Sequence, residues 1–398
     1  MKYESLLKQY YKSSDNGLKA YEELISYPHT IKFNIYNKSY PFFVCLNNEM
    51  LKLVSDILYL NAQLITLIYC NRELPDLISE WIINHALVEE VMMTNEIEGV
   101  VSTRKEIKQI IQDRTNKGYK RLYGLVKKYQ DLCHRTYDDI TSVYDIRTLY
   151  DNTMYLDIKK DNHHNLPDGK LFRKENVEVV ASNSAIHQGV YPESMIIDYL
   201  DEAIKILNDE SICLLIRVAI FHYFFAYIHP FYDGNGRMAR LISSIYLVKE
   251  LDITAALQVS VACKLRQKEY YDSFKVTNDI RNKGDLTYFV LSFLEIYKHG
   301  LKELKEAITD KIHQYYQLDK EINNLTLDNS SKRIINLLLQ ATLFTANSLT
   351  LEEIIDKTGL SKSTIKNRLA LKEVSQLLKV EKESKYYIYS LDLDKLVQ

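Results

Sequence analysis

Glycine and proline are scarce in this chain, with 11 glycines and six prolines among 398 residues. Tight turns depend on these residues, so their scarcity argues against a β-rich architecture. The net charge of −2 gives no overall attraction to nucleic acid or membrane, so any basic surface must be local. Hydrophobic residues make up 46% of the sequence, which argues for a folded chain, and its composition indicates a mostly α-helical one.

Cysteine is also sparse, and no two cysteines have the spacing of a metal site. We expect free, buried thiols in a reducing compartment at Cys45, Cys70, Cys133, Cys213 and Cys263. The first residues lack an apolar signal segment, and no stretch contains the roughly 18 uncharged apolar residues of a membrane-spanning helix. The sequence therefore predicts a cytoplasmic protein with no membrane contact.

One polar segment follows directly on the longest apolar run. Residues 214–228 are almost uninterruptedly apolar and lead into "HPFYDGNGRMAR", residues 229–240. Pro230 cannot continue the preceding helix because it lacks an N–H group, and two glycines within "DGNG" permit a tight turn. Helical spacing of apolar residues then resumes. The pattern predicts two helices joined by a tight loop.

The residue types in this loop suit a polyphosphate. Backbone N–H groups at a helix N-terminus form an anion hole, and Arg237 and Arg240 share one face of the second helix. Asp233 suits Mg²⁺, which prefers oxygen ligands, and His229 suits a base that meets a substrate hydroxyl. Each residue alone fits an ordinary helix–loop–helix turn, but their concentration in twelve residues favours a functional site.

These twelve residues resemble the signature of the Fic family, HxFx(D/E)GNGRxxR, at every fixed position. The resemblance implies an all-α core and transfer of AMP from ATP to a hydroxyl of a target protein. It implies that His229 is the general base, Phe231 anchors the loop in the core, and Asp233 holds Mg²⁺. It also assigns the binding of the phosphates to Gly234, Asn235, Gly236, Arg237 and Arg240.

Two further segments extend the resemblance. Residues 169–194 resemble the family's flap, a β-hairpin that would pair with an extended segment of the target. The expected tip of the flap, beside the nucleotide, is Ser184, Ala185, Ile186 and His187. Residues that resemble the family's adenine side are Tyr270, Tyr271 and Asn278, although plain helix packing explains them equally well. Taken alone, His187 and His222 fit structural roles.

A short motif nearer the N-terminus predicts inhibition. The segment "TNEIEGV" ends a predicted helix of about residues 77–99 and fits the family's inhibitory motif, (S/T)xxxE(G/N), through Thr94, Glu98 and Gly99. The Glu98 carboxylate can pair with Arg240 and displace the γ-phosphate, and we expect that pair to be buried and bidentate. Glu96 is the competing acid but lacks the spacing. The alternative is an exposed glutamate beside a helix-capping glycine.

Residues 329–398 resemble a winged helix-turn-helix domain. Thr350 and Glu353 have capping-box spacing, Gly359 ends that helix, and Ser361 caps a second helix that two strands follow. The residues expected to face DNA are Lys362, Ser363, Thr364, Lys366, Asn367 and Arg368. Residues 331–398 contain 11 Lys or Arg and eight Asp or Glu, which is little positive charge for DNA binding. Protein contacts, including a homodimer, are equally compatible.

The sequence thus predicts a mostly α protein in three parts. These are an N-terminal helical region with the inhibitory helix (1–100), a Fic core (101–322) and a winged helix (329–398). The expected activity is protein adenylylation by ATP and Mg²⁺ on a Ser, Thr or Tyr hydroxyl, including self-modification, inhibited by Glu98. Alternatives on the same fold are removal of AMP or transfer of another phosphate-containing group. A DNA-binding nucleotide sensor is a further alternative, although a sensor needs no base such as His229.

Overall fold

The computed structural model describes residues 3–71, 74–112, 121–181, 184–345, 348–383 and 386–396, with the backbone alone at 76, 179–181, 184–186 and 383. The N-terminal helices of the described chain are α1 (Leu6–Lys12), α2 (Ser14–Ser26), α3 (Asn48–Tyr69), α4 (Asp76–Ile97), α5 (Arg104–Gln112), α6 (Tyr123–Cys133), α7 (Val143–Thr153) and α8 (Tyr155–Asn162). Those that follow are α9 (Glu193–Leu207), α10 (Leu214–Ile228), α11 (Asn235–Leu247), α12 (Ile253–Ala256), α13 (Val259–Leu265), α14 (Gln267–Asn278), α15 (Thr287–Asn324), α16 (Asn329–Phe344), α17 (Leu351–Thr358), α18 (Lys362–Leu369) and α19 (Lys372–Ser375).

The strands of the described chain form three small antiparallel sheets. They are β1 (Thr30–Asn37), β2 (Tyr40–Cys45), β3 (Glu178–Ala181), β4 (Ser184–Gln188), β5 (Leu349–Thr350), β6 (Leu378–Glu383) and β7 (Tyr386–Leu391). Helices dominate, as the composition predicts, and the expected mostly α fold with a short β-hairpin is confirmed.

Packing divides the chain into two compact units. One consists of Met1–Leu64 and Ala86–Lys302, and the other of Ile65–His85 and Glu303–Gln398. Helices α3, α4 and α15 each contribute residues to both units. The predicted division at residues 100 and 322–329 stays a prediction.

Helix α10 forms the centre of the first unit. It is apolar on all sides, and thirteen of its fifteen residues are buried, as expected for a helix surrounded by others. Helices α9 and α11 pack against it. The helix ends where His229 adopts a left-handed conformation (φ 54°), directly before Pro230. Gly234, also left-handed, then caps the N-terminus of α11.

Both hairpins of the first unit lie where β-branched and aromatic residues are concentrated. Strands β1 and β2 form a hairpin near the N-terminus, with Asn37 opposite Tyr40. Strands β3 and β4 form the flap hairpin, with Ala181 opposite Ser184. The expected tip at Ser184–His187 is wrong, because these residues pair with β3 as its partner strand. The connection falls on residues 182–183, outside the described residues.

In its described residues, the C-terminal part of the second unit contains four α-helices and a small sheet, and its assignment as a winged helix stays a prediction. Helix α16 is followed by β5, α17, α18, α19, β6 and β7, and the sheet order is β5-β7-β6. The capping box of Thr350 and Glu353 and the cap by Ser361 are both present. The second predicted helix is interrupted, because Leu371 has a non-helical backbone (φ −59°, ψ 137°) that separates α18 from α19.

The cysteines and one long apolar helix qualify two expectations from composition. All five cysteines are free, but Cys70 and Cys213 are exposed because they flank the end of α3 and the start of α10. Among the described residues, α3 is long and apolar enough to cross a membrane by length and composition alone. It contains the charged residues Lys52 and Asp56, and the core helices of soluble proteins pass the same test.

Candidate functional site

The loop of residues 229–234 is closed by its own side chains. Asn235 accepts a hydrogen bond from the Phe231 N–H (3.0 Å) and donates one to the Phe231 carbonyl (2.8 Å). Phe231 is fully buried and stacks on Tyr150 with ring centroids 3.8 Å apart. The aromatic side chain therefore anchors the loop in the core, as the resemblance implies for Phe231, and the Asn235 amide holds the turn in shape.

The closed loop presents the N-terminus of α11 as an anion site. Met238 is the first residue whose N–H bonds within this helix, to the Gly234 carbonyl. The N–H groups of the preceding turn are therefore left for an external acceptor. Arg237 and Arg240 follow on the same helix, and both are almost completely buried, with 2% and 1% exposed. The Arg240 guanidinium lies beside Gly236 in this turn, whereas the Arg237 guanidinium pairs with Asp233 at 3.2 Å.

Glu98 occupies this anion site. Its Oε1 accepts a hydrogen bond from Arg240 Nη2 at 2.7 Å, and a β-carbon added to Gly236 would overlap the same carboxylate. Glycine at 236 therefore allows the carboxylate to approach the helix N-terminus closely. The carboxylate lies where the site is built to hold an anion.

The expectation of a buried, bidentate pair between Glu98 and Arg240 is wrong. Thr94 takes two other N–H donors of Arg240: its Oγ1 accepts from Nε at 2.8 Å and its carbonyl accepts from Nη2 at 3.1 Å. Only Nη2 reaches Glu98, whose side chain is 28% exposed. Gly99 has a positive φ of 71° and ends the helical turn, as expected. Glu96 points elsewhere and pairs with Lys264 at 2.9 Å.

His229 is placed as a base. Its Nδ1 lies 3.3 Å from the Ala226 carbonyl and donates to it, which leaves the lone pair on Nε2 to accept a proton. Among the described residues, Nε2 has no hydrogen-bond partner. Burial lowers the pKa of His229 to about 3, with further lowering by His187 and Arg173. The imidazole is therefore neutral at physiological pH.

Asp233 stands beside the anion site with one oxygen unused. Its Oδ1 accepts from the Gly234 N–H and from Arg237 Nη2 at 3.2 Å, and its side chain is 39% exposed. In the described part of the chain, no group of three His, Cys, Asp or Glu residues could hold a metal alone. A single exposed carboxylate instead fits Mg²⁺ that arrives with a nucleotide, because Mg²⁺ combines one or two carboxylates with substrate phosphates.

The residues predicted for the adenine side divide into two groups. Tyr270 and Tyr271 lie beside the pair of Glu98 and Arg240, whose charges act on both phenols. Tyr270 is buried, and its hydroxyl lies 2.8 Å from Nε2 of His222. The side chain of Asn278 contacts His187 and Tyr223 instead. Nothing is described of the side chains of the other flap residues, Ser184, Ala185 and Ile186.

Glu90 is a buried acid on α4 that the sequence reasoning missed. Its carboxylate accepts hydrogen bonds from the Ser260 N–H and hydroxyl and from the Val261 N–H, at the start of α13. It lies four residues before Thr94, so the helical spacing of "EEVMMTNEIEG" was an available signal. Helix α4 and the turn that follows it are therefore held at Glu90 as well as at Thr94 and Glu98.

Replacing Glu90 with glutamine should remove a pH-dependent loss of stability. Burial raises the pKa of Glu90 to about 7 from 4.5, with partial compensation by its hydrogen bonds to Ser260. An acid with a raised pKa stabilises the fold below its unfolded pKa, and this advantage disappears as pH rises through the folded value. Relative to Glu90→Gln, wild type should lose about 3 kcal/mol of unfolding free energy between pH 4.5 and 8. Parallel stability curves in urea titrations would contradict this.

Comparison with known proteins places this site in a family. Residues 140–247 match the Fic/DOC family. This chain contains a Fic domain. Protein adenylyltransferase fic-1 of Caenorhabditis elegans is 38% identical over 104 residues, which is 25% of this chain and 18% of that protein. Protein adenylyltransferase Fic of Culex quinquefasciatus is 36% identical over 112 residues, 26% of this chain and 21% of that protein. The match to this chain thus covers about a fifth of the length of each of these relatives.

A solved structure supports the fold over a longer range. A Fic family protein from Desulfovibrio desulfuricans aligns with a TM-score of 0.52 and 19% identity, covering 87% of this chain and 96% of that one. At this identity the match shows a shared fold. The shared fold thus extends beyond the residues that match the Fic/DOC family.

Proposed function

We propose that this protein is an adenylyltransferase that transfers AMP from ATP to a hydroxyl group of a target protein. The observation that carries the proposal is the start of α11, where N–H groups without an intrahelical acceptor lie beside the Arg240 guanidinium, directly after the loop that begins with His229. The relatives that match the Fic domain bear the name protein adenylyltransferase. ATP is the substrate that this name implies.

Each group has one task in the reaction. The N–H groups of residues 235–237 and the guanidinium groups of Arg237 and Arg240 bind the phosphates, which neutralises charge that would repel a nucleophile. The acceptor hydroxyl gives its proton to Nε2 of His229 while its oxygen bonds to the α-phosphorus. The bond from that phosphorus to the bridging oxygen breaks, and pyrophosphate leaves. The acceptor can be a Ser, Thr or Tyr hydroxyl, including one on this protein.

Asp233 is the proposed protein ligand of Mg²⁺. Its Oδ2 is available and its carboxylate is exposed beside the phosphate site. When bound with the nucleotide, Mg²⁺ supplies positive charge to the α- and β-phosphates.

Replacing Asp233 with asparagine should weaken ATP binding in the presence of Mg²⁺ by about 10–100-fold, because one interaction with a charged group typically contributes 1.5–3 kcal/mol. Binding without Mg²⁺ should change much less. Calorimetric titrations with and without Mg²⁺ measure both affinities. Equal weakening under the two conditions would assign Asp233 to the turn alone.

Inhibition by Glu98 is part of the proposal. The carboxylate lies over Gly236 and pairs with Arg240, so a γ-phosphate cannot occupy the same place. ATP can still enter, but in a pose in which the α-phosphorus faces away from His229. Displacing the end of α4 would then open the site.

Removal of AMP is a second candidate reaction. Glu98 is partly exposed above the phosphate site, so its carboxylate can orient a water molecule toward a bound phosphate. In that case the wild-type protein should release AMP from a labelled target, and the Glu98→Gly protein should not.

The test uses ATP labelled at either the α- or the γ-phosphate. The Glu98→Gly protein, alone and in cell lysate with Mg²⁺, should attach the α-label to protein and leave the γ-label in solution. Attachment of the γ-label would indicate phosphoryl transfer. Failure to attach either label would overturn the proposal. Adding wild-type protein to the labelled product tests the removal of AMP.

A role in DNA binding stays a prediction for the C-terminal unit. Lys362, Lys366 and Asn367 are exposed on α18, whereas Arg368 pairs with Asp328 at 3.0 Å. This pairing reduces the charge available for phosphate contacts. Contacts with protein, including a second copy of this chain, remain the alternative use of this face.

A further inference from the structure

His187 on strand β4 is held at the end of helix α10. Its Nε2 lies 2.7 Å from the Tyr227 carbonyl, and its ring stacks on the Tyr227 ring with centroids 5.1 Å apart and planes 3° from parallel. Tyr227 is two residues before His229. The contact therefore joins the flap hairpin to the chain directly ahead of the base.

The second nitrogen of His187 is also engaged. Asn278 Nδ2 donates to His187 Nδ1 at 3.3 Å. Because the carbonyl of Tyr227 can only accept and the amide nitrogen of Asn278 can only donate, the ring is neutral with its proton on Nε2. Burial also lowers the pKa of His187, which favours the same neutral form.

Asn278 is itself held in place by two other elements. The Tyr223 hydroxyl donates to Asn278 Oδ1 at 2.6 Å, from one turn earlier on α10. The Asn37 side chain on β1 donates to the Asn278 carbonyl at 3.0 Å. His187 thus contacts a partner whose own orientation is fixed, so its position relative to α10 is defined on both sides of the ring.

Arg173 joins the base of the hairpin to the same region. Its side chain is fully buried and donates to four backbone carbonyls, those of Glu175, Val190, Ile228 and His229, at 2.7–3.2 Å. The Val190 N–H also donates to the Ile228 carbonyl. Arg173 therefore fixes the root of the hairpin, and His187 fixes strand β4 further along.

We propose that His187 is a positioning residue for the transfer reaction: it pins strand β4 to the end of α10, so that an acceptor segment carried by the hairpin meets His229 in a fixed register. The inference rests on the proposed function, because it concerns the protein acceptor. A loosened strand would still leave the phosphate site intact, since no phosphate-binding group of α11 contacts His187 among the described residues.

The test compares two acceptors in the same reaction. In the Glu98→Gly protein with Mg²⁺ and α-labelled ATP, label on protein reports a protein hydroxyl, and free AMP reports water. The ratio of labelled protein to free AMP should fall about 10²-fold in His187→Ala, the loss expected from a small misplacement of a reacting group. General damage would lower both products together and leave the ratio constant, which would overturn the proposal.

Two further variants separate the effect of the two hydrogen bonds of His187 from that of the imidazole ring itself. His187→Gln can donate to the Tyr227 carbonyl and accept from Asn278, so it should restore most of the ratio. His164→Ala changes an exposed histidine of the same unit and should match the parent. A glutamine variant as impaired as His187→Ala would overturn the role of these two hydrogen bonds.

Hydrogen exchange tests whether His187 holds strand β4 without relying on catalytic activity. Loss of two hydrogen bonds should speed amide exchange of residues 184–190 by about tenfold in His187→Ala and leave α11 protected. Equal amide exchange of residues 184–190 in parent and variant would overturn the proposal that His187 holds strand β4. If the parent makes neither labelled protein nor free AMP, the proposed function fails, and the exchange result still decides whether His187 holds the strand. Faster exchange with a constant product ratio would overturn its positioning role.

Discussion

Replacing Glu98 with glycine is expected to raise covalent label transfer from ATP about 100-fold. Keeping 99% of molecules inactive requires about 2.7 kcal/mol, half of the roughly 5.5 kcal/mol that separates 1:99 from 99:1. A solvent-exposed pair supplies about 0–1 kcal/mol. The Glu98 carboxylate contacts Arg240, which is 1% exposed, and the same carboxylate fills the anion site above Gly236. The pair can therefore contribute more free energy than a solvent-exposed pair. Initial rates with α-labelled ATP and Mg²⁺ measure the effect.

Glu96→Gly is the matched control for this variant. Glu96 lies two residues away, is 53% exposed and pairs with Lys264, outside the phosphate site. Loss of such a pair changes free energies by up to about 1 kcal/mol, so the rate should stay within about fivefold of wild type. Equal rates for wild type and Glu98→Gly would show that residues 94–99 are merely the end of a helix.

Replacing His229 with alanine is expected to reduce transfer by about 10²–10⁴-fold, the usual contribution of a positioned base. The side chain accepts the proton of the acceptor hydroxyl, so ATP binding should survive the change. Label transfer in the Glu98→Gly background and ATP affinity by calorimetry measure the two properties. Undiminished transfer would remove His229 from the mechanism.

The pH profile provides a second check on His229. Burial lowers its pKa to about 3, and the base works in its neutral form, so lowering the pKa extends activity toward acid. The transfer rate should therefore show no loss from this group between pH 5 and 8. A transfer rate that instead falls below about pH 6.5 would contradict this, because it would indicate that His229 titrates as an ordinary, exposed histidine.

The loop of residues 229–240 could be predicted because its determinants are local. Pro230 ends one helix, the left-handed Gly234 begins the next, and Asn235 bonds to a residue four positions away. Helix spacing likewise placed Thr94 and Glu98 on one face. Sequence patterns identify such features since their physical causes lie within a few residues.

The family resemblance predicted the pairing of Glu98 with Arg240, but the other partners of the site could not be predicted, because they are distant along the chain. Arg240 lies 146 residues from Thr94, which takes the donors that a bidentate pair with Glu98 would need. Glu90 lies 170 residues from Ser260. Among the described residues Arg173 has no charged partner; its hydrogen bonds go to backbone carbonyl groups, which every residue possesses. Nothing in the sequence distinguishes such acceptors.

The three contacts along α4 follow the pitch of the helix. Glu90, Thr94 and Glu98 recur every four residues, about 6 Å apart, and each engages donors on a fixed neighbour. Moving the helix by one residue along its screw axis turns all three side chains away from their partners together. It also leaves the buried Glu90 carboxylate without hydrogen-bond donors. Intermediate positions are therefore costly, and α4 should change state in a single step of about one turn. Under the proposed inhibition by Glu98, opening of the site would then be all-or-none in each molecule, with activity graded only by the number of molecules that have switched.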